Sequence, residues 1–246
     1  MLDRREPISV CLAVYNGAAY LRSQVESILA ELDAEDELLA WDDCSTDDSA
    51  AVIERFADPR IVVHRGLRNQ GVNRTFESLL GLARHNLIFM ADQDDVWLPG
   101  RVDAMIGGLQ TNQAWLVSSN TGFIDNHGSQ INHENFPLRA PDSNRCWNNI
   151  AAIFRGRIGY YGCAMVLRRQ LFGLVLPFPR GMESHDLWIA MCANLAGRNC
   201  HLECDTLNRR IHGENASVIS RSFYSKIRSR LIFSYSLLVA LARRFF

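Results

Sequence analysis

Four short apolar runs, residues 8–14, 38–41, 61–64 and 87–91, alternate with stretches whose apolar residues return at helical spacing. Leu21, Val25, Ile28 and Leu32 describe one such face, Val52, Ile53 and Phe56 a second, and Phe76, Leu79, Leu80 and Ala83 a third. Runs this short and this uniformly apolar read as strands covered on both faces. Strands separated by helices of this length imply βαβ units and a mainly parallel sheet, so the spacing predicts an α/β fold. In such sheets ligands bind beyond the carboxyl ends of the strands. Polar clusters fall at three of those ends: Asn16-Gly17, Asp42-Asp43 and Asp92-Gln93-Asp94-Asp95.

Local signals set the boundaries. Ser45 with Asp48 resembles a capping box for the second helix. Residues 113–158 are less regular: 120–130 reads as a hairpin or loop, and 137–149 as loop-rich. Order returns at 159–167, and a helix follows His185-Asp186 with Leu187, Trp188, Met191 and Leu195 inward and Gly197 as its stop. The tail from Arg221 carries six basic residues and no acid, whereas the first 220 carry 20 basic and 27 acidic. Its longest uncharged run, 231–242, is too short to span a bilayer. A basic amphipathic helix on an anionic membrane surface and a helix docked on the body or a partner both fit this pattern.

Charge and composition exclude several classes. A formal net charge of -1 argues against a general nucleic-acid binder. Only Lys226 of the 26 basic residues is a lysine, which disfavours Schiff-base, pyridoxal-phosphate and P-loop chemistry. The seven cysteines are odd in number and scattered, and the N-terminus has no apolar leader run, so reduced thiols in the cytoplasm are expected. The 200–204 stretch Cys-His-Leu-Glu-Cys matches no pair-of-pairs zinc spacing and suits a strand of buried thiols.

The acidic cluster after the fourth strand carries the most chemistry. Carboxylates this close repel unless a cation or basic side chains offset them. Three acids in four positions at a strand end suit a hard divalent ion, Mg2+ or Mn2+, which takes one or two carboxylates and fills its other sites with phosphate oxygens and water. A solvated loop with Asp95 capping the next helix is the alternative. The same stretch also fits the DxDx(T/V) pattern of haloacid-dehalogenase-like phosphatases, but that motif belongs on a first strand with a downstream lysine.

Residues 8–17 (ISVCLAVYNG), 38–48 (LLAWDDCSTDD), 69–71 (NQG) and 87–99 (LIFMADQDDVWLP) resemble, in order and spacing, the family 2 glycosyltransferases. Residues 159–169 (GYYGCAMVLRR), 185–188 (HDLW) and 210–215 (RIHGEN) resemble that family's rhamnosyltransferase-like branch. Cys44 stands where the family usually has glycine. The resemblance implies a GT-A fold over residues 1–220, with a nucleotide-binding half at 1–110 and an acceptor-binding half at 111–220, followed by an amphipathic helical tail at 221–246. It further implies a UDP- or dTDP-sugar donor, inversion at the anomeric carbon, a glycan or lipid-linked acceptor and a role in cell-envelope polysaccharide synthesis.

Site residues follow from the matched motifs. Ala13, Tyr15, Asn16, Asp42, Asp43, Asn69 and Asp92 would border the nucleotide, and Asp94 and His212 would hold the metal. Asp186 matches the catalytic base, and Gly162, Cys163 and Trp188 would face the acceptor, although Trp188 also suits the core. Arg209 and Arg210 fit either phosphate contact or a surface pair. A nucleotide-sugar binder without catalysis would use the same donor residues and have no use for Asp186.

Overall fold

A computed structural model describes residues 5–212 and the helix that ends the chain, with side chains given for 5–212 and 227–245. Gly213, Glu214 and Asn215 of the last motif, and Arg221, lie outside the described residues. The order is β1 (Ile8–Val14), α1 (Ala18–Leu29), β2 (Glu37–Asp42), α2 (Ser49–Glu54), β3 (Ile61–Arg65), α3 (Val72–Leu82) and β4 (Leu87–Asp92). There follow β5 (Val96–Trp97), α4 (Arg101–Thr111), β6 (Leu116–Ile124), α5 (Cys146–Arg155), β7 (Met165–Arg168), α6 (Phe172–Val175), α7 (His185–Ala196), β8 (Asn199–Arg210) and α8 (Phe223–Phe245).

One eight-stranded sheet runs β3-β2-β1-β4-β7-β6-β8-β5. β1, β2, β3 and β4 are mutually parallel, as the apolar runs predict, and β6 pairs parallel with β8; β7 and β5 pair antiparallel. Two apolar cores cover the two faces. Leu21, Val25 and Ile28 of α1 and Val102, Met105 and Leu109 of α4 pack on one side. Phe76 and Leu79 of α3, Ile150 of α5 and Trp188 of α7 pack on the other. A sheet buried on both faces explains why β1 shows no alternation: every residue but Ala13 is fully buried.

Three sequence expectations change. Of the two readings of 120–130 the hairpin holds at its end, where Ile124 bridges Gln130 antiparallel, but residues 116–124 form the long strand β6, whose buried Ser118, Ser119 and Thr121 disguise it as polar. Residues 146–155 are helical, with Asn149, Ile150 and Ile153 inward and Gly156 ending the helix in the left-handed region. Ser45 caps no helix; it donates to Asp42, and Asp47 instead accepts from Ser49 and from the Ala18 amide.

α8 packs along α7. Phe233 and Ala240 are buried, Ser229 donates to Glu183 at 2.8 Å, and Arg243 lies over Trp188 while donating to the carbonyls of Leu174 and Pro177. The docked reading of the tail therefore holds for one face of this helix. No described helix is long and apolar enough to cross a membrane.

Candidate active site

The chain runs outward from β1 to β2 and β3, then returns to place β4 on the other side of β1. This is a topological switch point, where the loops leaving adjacent strands diverge and open a crevice. Register sets what borders it: Val14 lies opposite Asp42, and Ala13 opposite Asp92. Asp42 and Asp92 thus stand one strand to each side of the β1 end, roughly 10 Å apart across two interstrand spacings.

The first loop is fastened from both sides. Gln93 accepts the Tyr15 amide at 2.7 Å and returns its own amide to the Tyr15 carbonyl at 3.0 Å. Gly17 allows this approach, because a Cβ there would lie 2.4 Å from the Gln93 side chain. Asn16, at φ 52°, accepts the Thr46 amide and donates its own amide to Ser45. Tyr15 is left 45% exposed at the rim, available to a flat ring.

Asp42 and Asp43 differ in use. Asp43 is buried and accepts the amides of Gln70 (3.0 Å) and Gly71 (2.8 Å), so its carboxylate fixes the loop ahead of α3. Asp42 accepts the Ser45 amide and hydroxyl through one oxygen. Asn69 turns inward on its own loop, accepting the Gly71 amide.

The acids at the end of β4 form two connected groups. Asp94 meets His212 at 2.8 Å, and the His212 ring stacks on Tyr20 with centroids 5.0 Å apart. Asp92, Asp95 and Cys163 bring one ligand atom each within 4.8 Å of one another. Burial, then the charges of Asp95 and Asp94, push Asp92 up to about 8. Burial and Asp94 push Asp95 up to about 6. Asp95 accepts the Arg210 amide and a bond from the Cys163 thiol, yet its second oxygen is buried without a hydrogen-bond partner. Cys163 itself is raised by burial and stays a neutral thiol, a poor ligand for a hard cation.

Arg209 and Arg210 are not a surface pair. Arg209 lies over the Tyr161 ring at 4.1 Å and is held charged by Asp95 and Asp92. Arg210 is buried and donates to the carbonyls of Asp94 and Asp125. Arg209 and Arg210 offset part of the charge of the three carboxylates around this hollow. Among the described residues the ligand atoms close enough to share one ion are those of Asp92, Asp95 and Cys163; Asp94 and His212, the expected metal pair, bond each other outside that group. The carboxylate oxygens suit a hard divalent ion.

Metal-free protein carries a signature of this crowding. Asp92 and Asp95 keep protons in the fold at pH values where the unfolded chain has lost them. The folded state then binds more protons from about pH 4 to pH 8, so stability falls as pH rises through that window. Thermal melts in chelator should fall in Tm toward pH 8, and Asp92→Asn should flatten the decline above about pH 6. An identical slope in the variant would contradict this.

Asp186 opens α7. Ser184 is the N-cap, donating to Asp186, which also accepts the Leu187 amide at 2.8 Å. Asp186 is half-buried and close enough to Asp92 for its charge to help raise it. Asn73, invisible to sequence reasoning, accepts the His185 amide and ring nitrogen and donates to the Met182 carbonyl. His185 also stacks on Phe76 at 4.3 Å. Gly162 supports this corner by having no side chain: a Cβ would lie 2.7 Å from His185 Nε2. Gly162→Ala should cost about 1–3 kcal/mol by overpacking and shift Asp186 enough to lower turnover; unchanged melting and turnover would refute that contact.

The acceptor expectation needs correction at two positions. Trp188 is 1% exposed and donates to the Val175 carbonyl inside the core. Cys163 is equally buried, its carbonyl taken by Arg101, a fully buried cation under Phe89 and Trp97. Neither reaches a surface where an acceptor would lie.

Residues 9–173 match the family model for glycosyl transferase family 2. The chain is a family 2 glycosyltransferase. A dTDP-rhamnosyl transferase of Shigella flexneri, RfbG, is 30% identical over 116 residues, 44% of this glycosyltransferase and 40% of the relative. The chain spans between 37% and 69% of the length of the first three curated relatives it matches. Among solved structures, TarS of S. aureus in complex with UDP-GlcNAc superimposes with a TM-score of 0.71 at 19% identity, covering 97% of this glycosyltransferase and 72% of that chain. The mannosyltransferase PcManGT from Pyrobaculum calidifontis, solved with GDP-Man and Mn2+, gives 0.65 at 15% identity, covering 98% and 74%. At these identities the structural likeness shows the GT-A fold alone.

Proposed function

We propose that this glycosyltransferase moves a sugar from a nucleoside-diphosphate donor to a hydroxyl of a glycan or glycolipid acceptor, with inversion, using a divalent ion and Asp186 as the general base. The observation that carries this reading is that Asp186, at the start of α7, stands near enough to Asp92, at the end of β4, for its charge to act on it, so acids from two different motifs border one crevice. Uridine and thymidine donors both suit it, because UDP-GlcNAc occupies TarS and the rhamnosyl relative is named for a dTDP-sugar.

In this mechanism the β1 loop, with Ala13, Tyr15 and Asn16, and Asp42 border the base and ribose. Asp94 and His212 would hold a divalent ion, with Asp92 beside them toward the ribose. Such an ion, when bound, would supply Lewis-acid stabilisation of the charge that grows on the departing diphosphate. Asp186 takes the proton of the attacking hydroxyl from the face opposite the leaving group, as inversion requires. Asn73 and His185 fix the loop ahead of Asp186. Beside them a cavity of about 310 Å³, lined by Asn73, Arg74, Phe178 and Met182, offers room for an acceptor.

The test is a thermal-shift screen of nucleotide sugars with and without Mn2+, followed by NMR of the anomeric proton in the product. Donor-specific stabilisation that needs the ion, and a product of inverted configuration, are the expected results. Retention of configuration would overturn the role given to Asp186.

A further inference from the structure

α8 is apolar on two opposite sides. Ser229, Phe233, Ser236 and Ala240 are buried against the body. At 3.6 residues per turn, Ile227, Leu231, Tyr235, Leu238 and Phe245 share a single narrow stripe diametrically across the helix. That stripe faces solvent: Leu231, Leu238 and Phe245 are each about two-thirds exposed, and Tyr235 is 53% exposed. Five of the thirteen large exposed apolar side chains of the described residues sit on this one helix, in one row roughly 27 Å long.

We infer that this stripe lies on an anionic lipid surface. The charge pattern selects that occupant. Residues 223–245 carry five basic residues and no acid. Arg228 borders the stripe, Arg244 sits in the last turn, and both are exposed. Long arginine stems lie along apolar surface while their heads reach out to phosphate. A second copy pairing through the same face would set cation against cation, whereas anionic headgroups complement it. The inward side is already satisfied by the protein, so docking needs no unfolding of the helix.

The orientation of α8 gives the contact a use. Ser229 bonds Glu183, three residues before Asp186, so the buried side of α8 holds the loop that presents the proposed base, across the helix from the stripe. An enzyme lying on its α8 stripe holds that loop about one helix diameter, roughly 10 Å, above the lipid contact, within reach of the hydroxyl of a lipid-linked acceptor. This placement of the acceptor rests on the proposed glycosyl transfer; the lipid contact itself does not.

The experiment is co-sedimentation of the full chain with phosphatidylcholine vesicles, with and without phosphatidylglycerol, in the absence of any sugar. Binding should be about tenfold or more tighter to the anionic vesicles and should weaken with salt. Leu231→Asp with Leu238→Asp should abolish it without lowering Tm, because both positions face outward. Arg228→Gln with Arg244→Gln should remove only the preference for anionic lipid. Vesicle binding by the wild-type chain that ignores phosphatidylglycerol, or that survives the double aspartate change, overturns the inference. So does a dimer in sedimentation velocity that the aspartate pair dissociates while vesicles stay unbound. Loss of vesicle binding with transfer to a soluble acceptor intact is the outcome that separates this contact from the catalytic reading.

Discussion

Asp186→Asn should lower turnover by about 10²–10⁴-fold, the usual contribution of a positioned general base, while donor affinity and Tm stay near the wild-type values. Asparagine keeps an oxygen for the Leu187 amide and for the Ser184 hydroxyl, so the start of α7 survives. What disappears is the ability to take a proton. Changing Ser184 to Ala would instead remove the cap, at about 1 kcal/mol, and serves as the structural control. In the proposed mechanism donor binding is built from the other side of the crevice, from β1, β2 and β4, and should be untouched. A variant that keeps more than a tenth of wild-type turnover would remove Asp186 from the chemistry. The protein would then be better described as a nucleotide-sugar binder whose transfer, if any, uses another base.

Asp94→Ala should be at least as damaging, and in a different parameter. Asp94 is the one acid of its cluster that pairs with His212, and it also carries part of the charge that raises both Asp92 and Asp95. Removing it takes away a ligand from the expected ion and relaxes the repulsion that makes the hollow attractive to cations. The expected loss is about 10³-fold in kcat/KM, near 4 kcal/mol of transition-state stabilisation, with the response to added Mn2+ weakened in parallel. Because the repulsion falls, the metal-free variant should melt no lower than wild type at neutral pH, and that combination distinguishes a lost ligand from a damaged fold. A catalytic defect accompanied by a large fall in Tm would mean that Asp94 is needed for packing against His212 and Tyr20.

The first half of the fold is legible in the sequence because β1, β2 and β4 are buried on both faces, although the edge strand β3 is partly exposed, and a uniform apolar run as short as 87–91 suits little except a strand covered from above and below. The switch point then follows from counting strands, and with it the crevice and its acids. β6 escapes the same reading because its buried residues include Ser118, Ser119 and Thr121, and such polar groups sit inside only when partners are present; Ser119 meets Thr206 at 2.6 Å. Thr206 is 87 positions away, and no local pattern announces it.

The same limit applies to the site. Motif order is enough to nominate Asp92, Asp94, His212 and Asp186, but not the residues that tie them together. Gln93 clamps Tyr15, and Asn73 holds His185 across more than a hundred positions. Arg101 is buried as a cation with Thr206 and the Cys163 carbonyl as its partners. Such side chains are chosen by what the fold brings near. Arg209 carries a partial signal, since it lies on β8 immediately ahead of the His212 motif, and a strand feeding a site is a poor place for a surface pair. Trp188 shows the reverse error, where a motif match outweighed the apolar helix face that correctly predicts burial.

Isothermal titration of Mn2+ into the metal-free chain near pH 7.5, alone and with a UDP- or dTDP-sugar, tests the central claim most directly. One ion per chain is expected, bound more tightly when the nucleotide sugar is present. Proton release is expected too, seen as a dependence of the heat on the buffer, because Asp92 must give up its proton as the ion enters. Heats indistinguishable from dilution for both Mn2+ and Mg2+, with and without every nucleotide sugar tried, would contradict the claim.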